Sequence, residues 1–169
     1  VTASILRAAL LCVVGAAASG AADLKPWMGG PAPALELRAL DGGEHRLANY
    51  RGSVVLINFW ATWCAPCRDE MPSMQRLTER LAGRPFVVLA VNLDEPESRI
   101  RKFLSEMAVN FVVLLDPGKG AAKAWNARIL PASFVVGPDG RIRFSLVGET
   151  RWDEEGVVDR VRGLLPVKP

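Results

Sequence analysis

The sequence predicts an α/β sandwich with a mixed central sheet flanked by helices, and three observations carry that expectation. Val54 to Trp60 and Phe86 to Leu93 are nearly continuous apolar runs, as central strands covered on both faces require. Segments with apolar residues at helical spacing alternate with such runs. Near the end, a Pro138-Asp139-Gly140 turn joins two further strand-like runs, Ser133 to Val136 and Arg141 to Val147, as an antiparallel hairpin. That hairpin makes the sheet mixed rather than purely parallel.

Taken in order, residues 1–22 read as a signal peptide or N-terminal anchor, 23–33 as a linker and 34–169 as the folded domain. Arg7 precedes an apolar stretch from Ala8 to Ala18, followed by Ser19-Gly20-Ala21-Ala22 and the polar Asp23, which is the order of a secretory signal with cleavage near Ala22. The apolar stretch falls short of the roughly 20 residues a membrane span needs. Cys12, inside it, reads as an ordinary small apolar residue. Lys25 to Pro33 is rich in Pro and Gly and reads as a linker; no Gly-Lys-Ser/Thr follows its glycines, so it is no phosphate loop.

The domain opens with a hairpin, Leu35 to Leu40 and Arg46-Leu47, around the turn Asp41-Gly42-Gly43. The Val54 to Trp60 strand leads into a helix with Cys67, Met71, Met74, Leu77 and Leu81 on one stripe, and with Arg68, Asp69, Gln75, Arg76, Glu79 and Arg80 on the other side. After Phe86 to Leu93, helical spacing of Ile100, Phe103, Leu104 and Met107 gives a second helix, then Phe111 to Leu115 a strand and Ala121 to Trp125 a short helix. Val157, Val158, Val161, Leu164 and Leu165 mark the last helix. After the opening hairpin the order is βαβαβαββα.

The chemistry lies in Trp63-Cys64-Ala65-Pro66-Cys67, where the first of these strands gives way to its helix. Two cysteines with two residues between them on a first helical turn can close a small disulfide ring, and the helix dipole there favours thiolate, the species that exchanges disulfides. The same spacing supplies half of many zinc sites, which need four ligands. No cysteine follows the pair, and the single histidine, His45, lies in the hairpin turn, so zinc would need a second chain.

Glu70 is the one charged residue inside the helix's apolar sector, a turn beyond Cys67. A carboxylate desolvated there would have a raised pKa and could exchange a proton with a thiol. The competing reading has it capping the helix start or lying in water at the stripe's edge.

A net charge of +3 over 169 residues, with basic and acidic residues interleaved, does not suggest a nucleic-acid partner. The folded part is long enough to bury a substantial core as one domain, expected to be monomeric. No bound cofactor is called for.

The run from Asn58 to Pro72, Asn-Phe-Trp-Ala-Thr-Trp-Cys-Ala-Pro-Cys-Arg-Asp-Glu-Met-Pro, resembles the TlpA/ResA/CcmG branch of thioredoxin-fold proteins. The likeness extends to Pro31-Ala32-Pro33, Leu130-Pro131 and the Pro138-Asp139-Gly140 hairpin. Pro96 to Leu115 resembles the inserted helix and strand of that branch. The resemblance implies a thioredoxin-like sandwich and an extracytoplasmic, periplasmic thiol-disulfide oxidoreductase. It implies Cys64 as the attacking thiolate, Cys67 as the resolving thiol and a cis Leu130-Pro131 bond beside the pair, with Leu130 offering its backbone to an extended substrate. Pro66, lacking an amide hydrogen, would tune the redox poise. Trp63 reads either as a docking wall or as a packing residue.

By the same resemblance the partners are a disulfide-bearing protein, either apocytochrome c or a copper-site protein of oxidase assembly, and a membrane electron donor of the DsbD/CcdA type. One departure is Ala132-Ser133, where the family commonly has two hydroxyl residues. Rival functions are a thiol oxidase or isomerase, a peroxidase, which Ala61 three residues before Cys64 disfavours, and a copper chaperone with Cys64 and Cys67 as soft ligands.

Overall fold

The computed structural model describes residues 23–167. The signal or anchor segment 1–22, with Cys12, lies outside the described residues.

Six strands form one sheet in the order β1-β8-β7-β4-β5-β6. These are β1 (Lys25–Pro26), β4 (Val54–Trp60), β5 (Phe86–Leu93), β6 (Val112–Asp116), β7 (Ala132–Val136) and β8 (Ile142–Val147). β4 pairs in parallel with β5, and β5 with β6, while β7 is antiparallel to both β4 and β8. The sheet is therefore mixed, and β4, which delivers the chain to the cysteine pair, lies inside it. Its seven residues are all buried.

The sheet divides the core. Leu56 and Trp60 of β4 face helix α1 (Ala65–Arg80), α2 (Glu97–Ser105) and α4 (Glu155–Arg162), joining Met71, Met74, Leu77, Ile100 and Val161 in one cluster. Val55, Ile57 and Phe59 point the other way, toward α3 (Gly120–Ala124), Trp125 and Phe134. Alternation along the strand puts Asn58 on the α1 side, the single polar residue of that strand. Burying each of Met71, Met74 and Leu77 contributes about 2 kcal/mol of transfer free energy, which anchors α1 along its length.

Helix α1 starts where the local sequence allows it. Cys64 is its N-cap, in extended conformation, and Pro66 sits in the first turn, where a missing amide hydrogen costs nothing. One residue departs from the wheel: Gln75, on the polar side by sequence, is buried and accepts from the Asn110 amide at 3.0 Å. Its side chain satisfies the backbone of the turn before β6.

Strands β2 (Glu36–Arg38) and β3 (Glu44–Arg46) form the separate opening hairpin, with Leu37 opposite His45. It joins the β6 edge through the Ala39–Leu114 bridge and through Leu40 N–H donating to the Val113 carbonyl at 2.8 Å. Within the segment read as a linker, Leu24 is buried and β1 pairs with Phe144 and Ser145. Pro26 is tolerated there because β1 is an edge strand.

Candidate active site

Cys64 and Cys67 form a disulfide with their Cα atoms 5.3 Å apart. Both are buried, Cys67 completely and Cys64 with 6% of its surface exposed. The Cys67 amide donates to Cys64 Sγ at 3.3 Å, so the sulfur occupies the N-cap acceptor position of α1. Pro66, one residue earlier, brings no donor. A negative charge on Cys64 Sγ would therefore be met by one backbone donor and by the positive end of the helix dipole.

The loop before the pair is held from the end of the neighbouring strand β5. Glu95, just after β5, accepts from the Thr62 amide at 2.7 Å and from the Thr62 hydroxyl at 2.6 Å, and Asn92 Nδ2 donates to it at 2.8 Å. Its carboxylate is nearly enclosed, with 5% side-chain exposure, and is satisfied by donors rather than by solvent.

Glu70 neither caps the helix start nor reaches water. It is 3% exposed, with Oε1 accepting from Asn58 Nδ2 at 2.7 Å. Oε2 accepts from Trp152 Nε1 at 3.1 Å and from the Thr150 amide at 3.3 Å. Burial pushes its pKa from an ordinary 4.5 up to about 7; the three donors pull against that, and the charge of Glu149 adds slightly to it. Desolvation exceeds hydrogen bonding here because none of the partners is a cation. The group sits near the pH where it can both take and give a proton.

Ser73 ties this carboxylate's surroundings together. Its hydroxyl donates to the Glu70 carbonyl at 2.7 Å and accepts from the Trp152 amide at 3.1 Å, locking the loop after β8 onto α1. Asn58 also donates to Ser133 Oγ at 2.9 Å. Ser133 is thus committed to the interior, and Ala132, beside it on β7, is buried and offers no hydroxyl.

The Leu130-Pro131 bond is cis. Leu130 lines an open groove of about 610 Å³ together with Trp63, Cys64 and Pro66. Trp63 is 65% exposed, so it is not a core packing residue; Trp60, Trp125 and Trp152 are buried. Arg68 is solvent-exposed. His45 stays in the hairpin, its Nδ1 hydrogen-bonded to the Tyr50 hydroxyl. Among the described residues, no group of three or more His, Cys, Asp or Glu could hold a metal ion. No described helix is long and apolar enough to cross a membrane.

Sequence reasoning named Cys64, Cys67, Glu70, Pro66, Trp63, Leu130 and Pro131, and the structure gathers the two cysteines, Trp63, Pro66 and Leu130 around one opening with Glu70 in the core below α1. It did not assign Asn58, Glu95, Thr150 or Trp152 to the site. Asn58 carried a readable signal, a polar side chain in the middle of a wholly apolar strand, which must find buried partners. Glu95 and Trp152 carried none, since their partners lie far away in sequence.

Residues 28–145 match the AhpC/TSA family. The chain is similar to the thiol-disulfide oxidoreductase ResA of Geobacillus kaustophilus, 35% identical over 136 residues that cover 80% of this chain and 78% of the relative. It is similar as well to ResA of Geobacillus thermodenitrificans, 36% identical over 121 residues covering 72% and 70%. Among solved structures, a Chlorobium tepidum protein described as thiol:disulfide interchange protein DsbE superposes with a TM-score of 0.74 at 30% identity, covering 84% of this chain and 99% of that one. The fold is that of thioredoxin-like proteins.

Proposed function

Because this chain belongs to the AhpC/TSA family of thioredoxin-fold proteins and is a thiol-disulfide oxidoreductase of the ResA and DsbE kind, we propose that it reduces disulfides in proteins outside the cytoplasm. The observation that carries this reading is the Cys64–Cys67 disulfide at the N-terminus of α1, with the Glu70 carboxyl buried one helical turn beyond Cys67. A buried resolving thiol needs a proton acceptor, and Glu70 is the acidic group on that face of α1.

Cys64 Sγ, as thiolate, attacks one sulfur of the substrate disulfide; a mixed disulfide forms and the substrate's other sulfur leaves as a thiolate. Cys67 passes its proton to Glu70 and attacks Cys64 Sγ, which closes the Cys64–Cys67 bond and releases the substrate's second thiolate. Two electrons have moved to the substrate. Leu130 makes no backbone-to-backbone hydrogen bond among the described residues, which leaves its amide and carbonyl for an extended substrate strand, with Trp63 as a wall. Pro66 removes one donor that would otherwise stabilise the thiolate and so favours the reducing direction.

By resemblance to the family, the proposed substrates are apocytochrome c, whose haem-binding cysteines must be reduced before ligation, or a copper-site protein of oxidase assembly. An oxidising compartment requires a membrane donor of the DsbD/CcdA type to recharge the pair. The signal-like segment 1–22 supports that location. Measuring the reduction potential of the Cys64–Cys67 pair tests the direction: a value near −270 mV, about that of thioredoxin, is expected, and one near −120 mV, about that of a strong oxidant, overturns it.

A further inference from the structure

The groove beside Cys64 has an apolar floor and a cationic rim. Trp63, Pro66 and Leu130 supply apolar surface next to the sulfur, and Lys119, Lys123 and Arg128 line the same opening, whereas no Asp or Glu does. All three cations are exposed. Among the described residues none of them takes part in an ion pair, although Arg38, Arg46, Arg76, Arg80, Arg99, Arg101, Arg143, Arg151, Arg160 and Arg162 all do. Arg51, Arg68, Arg84, Arg141, Lys25 and Lys102 are likewise outside these ion pairs; what sets the groove apart is that three such cations line one opening that no carboxylate lines.

The fold holds these charges in place. The Asp116 carboxylate, buried at the end of β6, accepts from the Ala121 amide at 2.9 Å and the Ala122 amide at 2.8 Å, fixing the start of α3. Trp125, 2% exposed, anchors its other end. Lys119 before this helix has left-handed backbone, φ 60°, which is uncommon for a lysine, while Asn126 after it, φ 54°, is the kind of residue that ends helices in that conformation. Asp94 accepts from the Gly118 amide at 2.9 Å and so abuts the same loop, yet it does not line the groove.

We propose that this groove selects its partner by charge: it takes an extended segment of a substrate protein in which acidic side chains flank the reacting cysteine, the apolar floor covering the residues next to the sulfur. The proposal rests on the disulfide-exchange reading for the bond at Cys64, but not on its direction. Lysine and arginine at the rim raise the local concentration of a negatively charged segment and steer it to the sulfur, while a basic segment meets repulsion.

The test uses synthetic peptides with one intramolecular disulfide and flanks of either Glu or Gln. Second-order exchange rates are followed with the reduced protein and peptide disulfide, and with the oxidised protein and peptide dithiol, so that charge preference is read whichever way the pair runs. At about 0.01 M ionic strength, where the screening length is about 30 Å, the Glu peptide is expected to react about 10-fold faster than the Gln peptide. At about 1 M, with a screening length of about 3 Å, the difference should vanish.

The double variant K123E/R128E is expected to reverse the preference and favour the Gln peptide, and a far-UV circular dichroism spectrum and a cooperative unfolding transition like those of the wild type show that its fold is intact. Equal rates for the two peptides at low salt overturn the charge proposal and leave the reductase reading standing. A Glu preference together with a potential near that of an oxidant leaves the charge proposal standing and removes the reductase reading. Binding of phosphatidylglycerol vesicles that K123E/R128E abolishes, or a dimer that it disperses, with no discrimination between peptides, assigns the rim to a lipid surface or a second copy and overturns the proposal.

Discussion

Replacing Glu70 by Gln removes a buried carboxyl whose pKa is higher in the folded protein than in the unfolded chain. The native carboxyl, raised to about 7 from 4.5, binds more protons than the unfolded chain between those two pH values. Stability therefore falls as pH rises through that window; the contribution is fully present below about 4.5 and gone above about 7. With about 1.4 kcal/mol for each pKa unit, the rise from 4.5 to about 7 corresponds to about 3 kcal/mol.

Glutamine cannot ionise, so Glu70→Gln should lack this loss. Its amide nitrogen needs an acceptor where Asn58 Nδ2 now donates, and Asn58 Oδ1 is buried without a partner, so a flip of the Asn58 amide supplies one. The assay is denaturant unfolding of both oxidised proteins from pH 4.5 to 8. The wild-type minus variant difference is expected to become less favourable by about 3 kcal/mol across that range. Profiles that stay parallel within about 0.5 kcal/mol, the usual limit of additivity, would refute the argument that desolvation dominates at Glu70.

Two further outcomes follow from the same geometry. Cys67→Ser should accumulate a mixed disulfide between Cys64 and a disulfide substrate, detectable by intact mass, while Cys64→Ser should trap about 10-fold less or worse, because Cys67 is fully buried. Glu95→Ala leaves the Thr62 amide and hydroxyl without their carboxylate partner, which should cost about 2 kcal/mol in denaturant unfolding; an unchanged midpoint would show that the clamp contributes nothing net.

The periodic and local features of this protein can be read from its amino-acid order. The apolar runs of β4 and β5 and the stripe of α1 are legible because burial imposes period on a sequence, and the disulfide pair is legible because its partners lie within one helical turn. Glu70 was legible as a charge in an apolar stripe. The groups around that carboxyl come from distant parts of the chain. Asn58, Thr150 and Trp152 reach Glu70 across separations of 12, 80 and 82 residues, and Glu95 reaches Thr62 across 33.

The edge pairing of β1 and the charged rim beside Cys64 belong to the same class. Lys119, Lys123 and Arg128 look like ordinary solvated cations in the sequence, and they line one groove with Cys64 only because β6 and α3 fold back beside the cis Leu130-Pro131 loop. Periodicity records which face of an element is buried. It carries no information about which distant side chain comes to lie against that face, because that depends on the order and packing of strands in the finished sheet.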